Sequence, residues 1–566
     1  MSHCHLTEKG SRYLMKILYA VTTILLFIVL ITSCSTPDNE DKPANTEDEV
    51  TPSETNMPEP TSEPEPTPEI DAQATIESNA AAAQRQMEDA GIYTEKYRPQ
   101  FHFSPMRGWI GDPDGMLRYQ DTYHVWWWGH AESKDLVHWE NQIPSAMAGD
   151  DGSFIYFSGS VVVDENNSSG FGDGTKPPMI ALYTMFFNDV KPEVQGLSVS
   201  HDYANFVFYK GNPVLEAEPK FFRDPMVFWH DETGRWIMAI ALPEKHQVSF
   251  YASDNLKEWE HLSDFGPAGA LNGWWEVPDL YQLPVDGDPN NTRWVLQIGR
   301  GPNRVQYFIG DFDGTQFTLN PEENGTTTNW LDYGPDYYAV RTFRDYDHVE
   351  DRIVTFGWMG NWQYANNVPT SWGKGALSLP RELELRTYEG ELQIVQRPIP
   401  ALEQLRGDEV TLENVELTDT RPLSEFTPAL NSYELDLTIR ITDPDTRFGI
   451  RLAESDEHAF TLGYDTSTSA LFLDRMKGER AFLGDEFPKQ LTAPLQPQAD
   501  GTIRLHIFVD QSSVELFANE GEVTMTALMF PEPDSTGITL FVEGGTAVLE
   551  RLTAWELTSI WQGILE

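Results

Sequence analysis

Cysteine is nearly absent: the 566 residues hold two, Cys4 and Cys34, both ahead of the expected mature body. That leaves no disulfide scaffold and no cysteine-ligated metal site. Positive charge is scarce too. With 39 Lys and Arg against 89 Asp and Glu, the formal charge is −50, and such a surface repels a phosphate backbone, which argues against nucleic acid as a partner. The one long apolar run, Ile17 to Ile31, falls short of the roughly 20 residues that cross a bilayer. Aromatic side chains are abundant instead: 17 Trp, 21 Tyr and 30 Phe, which suit a core and also cover the apolar faces of sugars. The length predicts two to four domains.

The apolar run follows Met15-Lys16 and ends in Ile31-Thr-Ser-Cys34. A basic start, an apolar stretch and small residues before a cysteine resemble a bacterial lipoprotein signal, with Cys34 as the lipidated residue; an uncleaved N-terminal anchor is the alternative. Either places the body in the cell envelope, outside the cytoplasm. Residues 35–90 carry 15 Asp and Glu against 2 Lys and Arg, with repeated Thr-Pro and Glu-Pro steps. They read as an acidic, Pro-rich tether that cannot bury enough surface to order itself, ending in a short helix near Ala80 to Ala90.

The body reads as all-β. From residue 91 to 398, short aromatic and β-branched runs alternate with Gly, Asp, Asn and Pro clusters, and no sustained helical period appears. A pattern recurs in Ser133-Lys-Asp-Leu-Val-His-Trp139, Ser200-His-Asp-Tyr-Ala-Asn-Phe206 and Ser253-Asp-Asn-Leu-Lys-Glu-Trp259, with a weaker copy at Gly310 to Phe317. Units of that size predict a five-bladed β-propeller. From 399 to 566, two-residue alternation such as Leu435-Asp-Leu-Thr-Ile-Arg-Ile441 predicts a β-sandwich of about nine strands, structural in role.

Three carboxylates stand out. Asp112 lies in Trp109-Ile-Gly-Asp-Pro-Asp-Gly115, Asp224 in Phe222-Arg-Asp-Pro225, and Glu276 in Trp274-Trp-Glu-Val-Pro-Asp279. Singly, each has an ordinary explanation: a turn, a surface ion pair, a rim residue. Their spacing by one to three repeat units near blade starts would converge them on one central funnel, and glycoside cleavage uses two such carboxylates. Indoles and Val277 beside Glu276 would desolvate it and favour its protonated form.

These motifs, with His102-Phe-Ser-Pro, His130 to Trp139, Phe157-Ser-Gly-Ser160, Asp332 to Ala339, Trp358 to Ala365, Leu379-Pro-Arg-Glu-Leu and Val509 to Phe517, resemble glycoside hydrolase family 32. That family comprises the β-fructosidases, including invertases, exo-inulinases and levanases. The resemblance implies a propeller plus sandwich, with Asp112 as nucleophile, Glu276 as acid/base and Asp224 stabilising the transition state. Expected substrate contacts are Arg223, Phe157, Ser158, Trp109, Trp275 and Trp362. The implied activity is exo-acting, retaining release of fructose from levan, inulin or sucrose, with no metal or organic cofactor. The sequence also departs from the family, which has Asn at the positions of Gly111 and Asp114, Cys at that of Val277, and a longer loop after His124. Those departures keep open a furanosidase for another furanosyl sugar, or a carbohydrate-binding lipoprotein without turnover.

Overall fold

In the computed structural model the described residues are 71–562, apart from positions 90, 322–324, 326, 350–351, 442 and 478–482. Cys34, the apolar run before it and most of the acidic stretch lie outside them. Among the described residues no helix is long and apolar enough to cross a membrane. The end of the stretch read as tether is a helix, Ala72–Met87, which starts earlier than expected. Asp71 caps it, accepting from the N–H groups of Gln73 and Ala74 at 3.0 and 3.3 Å, and a run of alanines favours helix. Ala83 then joins a core containing Ile92 and Tyr93.

Five sheets follow. The first blade comprises Gly115–Tyr119, Thr122–Trp126, His130–Ser133 and Trp139–Ile143. The second is built on Ile155–Val163, Met179–Phe186, Val194–Ser200 and Phe206–Phe208, and the third on Arg223–His230, Arg235–Leu242, Gln247–Ser253 and Glu260–Phe265. The fourth uses Trp275–Val285, Asp288–Arg300, Arg304–Phe312 and Phe317–Leu319; the fifth uses Tyr338–Thr342, Ile353–Trp358, Arg381–Tyr388 and Glu391–Pro398. The first strand of each blade neighbours the first strand of the next, and the fifth returns to the first. Arg344–Asp345, just beyond the fifth inner strand, pairs in parallel with Gly115–Tyr119 and helps close the ring.

The recurring heptad is the turn between third and fourth strands. Ser133, Ser200 and Ser253 accept from the N–H groups of Leu136, Tyr203 and Leu256 at 2.8, 3.0 and 2.8 Å. Asp135, Asp202 and Asn255 each accept two further backbone N–H groups. This bonding holds the apolar residue in the left-handed region, at φ 65, 72 and 61°. The fourth copy places Gly314 there, at φ 84°, where no Cβ opposes the conformation.

Among the described residues the sandwich has two six-stranded sheets, twelve strands rather than about nine. Short strands such as Arg421–Pro422 show too little alternation to be seen in sequence. Leu435, Leu437 and Ile439 face Ile503, Leu505, Ile507 and Val509 in its core. A buried ionic cluster locks it to the propeller. His102 donates to Asp510 Oδ2 at 2.8 Å and Glu515 Oε1 at 2.9 Å; Glu515 also accepts the Leu379 N–H at 2.7 Å and pairs with Arg381. Arg381 reaches Asp332 at 3.0 Å.

Candidate active site

The inner strands are bulged where they meet the funnel. Pairing slips between Tyr156 and Gly159, between Arg223 and Met226, between Glu276 and Asp279, and between Tyr338 and Arg341. A bulge turns a side chain out of the regular alternation. Asp224, Val277 and Ala339 accordingly have φ of 63, 51 and 50°, a strained region for residues with a Cβ. Prolines 225 and 278 fit here because the ladder is already broken.

These bulges and the turn before the first blade open into one pocket of about 700 Å³, lined by Asp112, Asp114, Ser158, Arg223, Asp224 and Glu276 among aromatic walls. All three expected carboxylates are in it. Ser158 donates to Asp112 Oδ2 at 2.7 Å. Burial, opposed by that hydrogen bond and reinforced by the charge of Glu276, pushes the Asp112 carboxyl up to about 6. Asp224 accepts the Val277 N–H at 3.0 Å, and its own N–H is bound by Thr184 Oγ1 at 2.9 Å. Burial first, then the negative charge of Glu276, lifts its carboxyl well above the usual carboxylate range.

Both oxygens of Glu276 are held. Arg223 Nη1 donates to Oε1 at 3.0 Å and the Tyr338 hydroxyl to Oε2 at 2.9 Å. Arg223, expected as a substrate contact, thus spans Glu276 and the buried Glu193. The expected desolvation by flanking residues is not what surrounds this carboxylate. Trp275 is 0% exposed and packs between the third and fourth blades, its Nε1 donating to Ala270 O. Val277 packs into the core shared by the fourth and fifth blades. Trp274, one residue away from Trp275, lines the pocket instead.

Trp109 and Trp362 stack at the rim, 5.8 Å apart and 16° from parallel, and Phe157 stacks on Phe186 at 4.3 Å. In the hairpin after His124, Trp127 and Trp128 form the wall, with Trp128 Nε1 donating to Phe157 O at 3.0 Å. Tyr338, Glu193, Arg341 and Trp274 were not singled out from sequence, although Tyr338 and Trp274 sit inside the quoted motifs.

The sequence shows no histidine pair at zinc-ligand spacing, yet the hairpin of the first blade brings His124 and His130 together. Ligand atoms of His124, His130 and Glu132 lie within 4.8 Å of one another. The two rings share a 3.0 Å hydrogen bond, and burial lowers both pKa values, so both rings are neutral at pH 7. None of the three lines the pocket.

Comparison with known proteins agrees with this geometry. The glycosyl hydrolases family 32 N-terminal domain matches residues 102–398, and the family 32 C-terminal domain matches 401–556. A levanase of Bacillus subtilis (strain 168) is 37% identical over 497 residues, 84% of this chain and 72% of that protein. The extracellular exo-inulinase inuE of Aspergillus niger is 36% identical over 518 residues, covering 83% and 96%. The crystal structure of exo-inulinase from Aspergillus awamori superposes with a TM-score of 0.76 at 35% identity, over 83% of this chain and all of that one. β-Fructofuranosidase from Schwanniomyces occidentalis complexed with fructosyl-erythritol gives 0.73 at 29%, over 82% and 99%. With both halves of the body matched and carboxylates from two blades and the turn before the first gathered in its funnel, the chain belongs to glycosyl hydrolase family 32 and is a glycosidase.

Proposed function

We propose that this glycosidase is a retaining, exo-acting β-fructofuranosidase that releases fructose from levan, inulin or sucrose outside the cytoplasm. The observation that carries the reading is the convergence of Asp112, under the Ser158 hydroxyl, with Glu276, clamped by Arg223 and Tyr338, in one aromatic-walled pocket. Asp112 attacks the anomeric carbon as the glycosidic bond breaks, and Glu276 gives its proton to the departing oxygen. Water, deprotonated by Glu276, then releases fructose from the Asp112 ester, so that two inversions amount to retention. Asp224, tied to the backbone beside Glu276, stabilises the transition state. The stacked indoles at the rim suit the next sugar of a chain end.

The relatives named levanase and exo-inulinase support fructan as substrate. Gly111, without a side chain, and the short hairpin at Trp127–Gly129 remove polar groups from the pocket, which favours a different furanosyl sugar as the second reading. Lipidation at Cys34 would tether the enzyme to the membrane and free fructose close to the cell. Assaying the purified protein on levan, inulin, sucrose and arabinan separates the two substrates; cleavage of arabinan alone contradicts the fructoside reading. Location is tested by fractionating cells with wild type and Cys34→Ala. Wild type should stay with membranes through salt washing and the variant should not; identical partitioning contradicts lipidation.

A further inference from the structure

Tryptophan is among the side chains a fold gains most by covering, yet among the described residues three stay exposed: Trp109, Trp274 and Trp362, at 37, 39 and 41%. All three line the pocket that holds the carboxylates. Packing gives no reason to collect uncovered indoles at one opening, and a clustered apolar surface of that kind marks a binding site. Trp109 and Trp362 stack on each other. Trp274 approaches the pocket from a different segment, the start of the fourth blade.

The backbone fixes where Trp274 sits. Along Trp274-Trp275-Glu276 the middle residue is buried in the core while the outer two line the pocket, the alternation of an extended chain. Trp274 therefore shares the face of Glu276. Its carbonyl accepts the Gly301 N–H at 2.9 Å, and its ring lies against Gly301, where a Cβ would collide with it. The next residue, Pro302, accepts the Trp362 N–H through its carbonyl at 3.4 Å. Residues 301 and 302 thereby anchor both Trp274 and Trp362.

The chemistry then tells the two sides of the pocket apart. In a double displacement the furanosyl ring under attack lies at Asp112, and the oxygen that departs lies at Glu276, which protonates it. Whatever that oxygen carries away begins beside Glu276, and the pocket-lining ring two residues from Glu276 is Trp274. A sugar ring offers a face of C–H groups that an indole covers well. We propose that Trp274, with Trp362, holds the sugar on the departing side of the scissile bond and makes the enzyme selective for leaving groups that are themselves sugars. The inference rests on the family-32 hydrolase reading with Glu276 as the acid. It deepens that reading by naming the residue that chooses the leaving group.

The test compares two substrates with the same furanosyl ring and different leaving groups: the methyl furanoside and a short oligosaccharide of whichever sugar wild type releases. Both need protonation by Glu276, and only the oligosaccharide puts a sugar ring beside Trp274. Trp274→Ala should lower kcat/KM by about tenfold or more on the oligosaccharide and by less than about threefold on the methyl furanoside. Trp274→Leu, which keeps apolar bulk over Gly301 without a flat ring, should show the same split, and Trp274→Phe should recover most of the loss. Equal losses on both substrates would mean that Trp274 supports Glu276 or the fold, and would overturn the proposal. So would an unchanged kcat/KM on the oligosaccharide. Either result leaves the hydrolase reading standing, whereas a wild type that cleaves no furanoside overturns both.

Discussion

Ser158 and Asp112 come from separate segments of the propeller and meet in a 2.7 Å hydrogen bond. The serine sits in the bulge of the second inner strand, the aspartate in the turn before the first. Because the hydroxyl favours the carboxylate while burial disfavours it, this contact sets the pH at which Asp112 becomes available for its proposed part as nucleophile.

The first prediction concerns that balance. Wild-type kcat/KM should fall as pH drops through about 6, the value to which burial raises Asp112. Ser158→Ala removes the stabilising donor, so the acid limb should move to higher pH and kcat/KM at the optimum should drop roughly 10- to 100-fold. A pH–rate series on both proteins checks it; an unmoved limb means the hydroxyl does not control Asp112.

The two clamps on Glu276 should separate. Tyr338→Phe removes one donor from Oε2 and should lower kcat by roughly 10- to 100-fold with little change in thermal midpoint. Arg223→Ala also strands Glu193, whose side chain is 2% exposed. It should lower both kcat and stability, the latter by about 3 kcal/mol or more. Urea titrations beside steady-state kinetics distinguish them, and equal stability losses would contradict the assignment.

His102 predicts a pH window for the propeller–sandwich junction. Burial alone would lower its pKa, but hydrogen bonds to Asp510 and Glu515 raise it to about 9. The folded value exceeds the unfolded one near 6.5. Its contribution is therefore full below pH 6.5 and is lost as pH rises through 9, amounting to a few kcal/mol. His102→Gln should destabilise strongly at pH 6 and much less at pH 9.5, read from urea midpoints. A constant gap would mean the ring is not charged.

Much of this was legible because its cause is local. The Ser-x-Asp heptads fold their own turns, and Asp-Pro and Val-Pro steps mark the bulges that present Asp224 and Glu276. What escaped was non-local or a matter of parity. Trp274 and Trp275 differ by one position, and one residue along a strand exchanges pocket for core. Tyr338 and Arg341, on the fifth blade, meet Glu276 and Pro278 of the fourth from 62 and 63 residues away. The motifs around His102, Arg381 and Glu515 were visible as family landmarks, but their function as an inter-domain lock depends on partners up to 413 residues away.

The most direct test of the central claim is to trap the intermediate. Glu276→Ala, given a fructosyl donor whose leaving group needs no protonation, should accumulate a covalent fructosyl-enzyme, since the base for its hydrolysis is gone. Peptide mass spectrometry should place the fructosyl group on Asp112. An adduct on Asp224, or α-configured sugar as the first product released by wild type from a β-fructoside, would contradict the account.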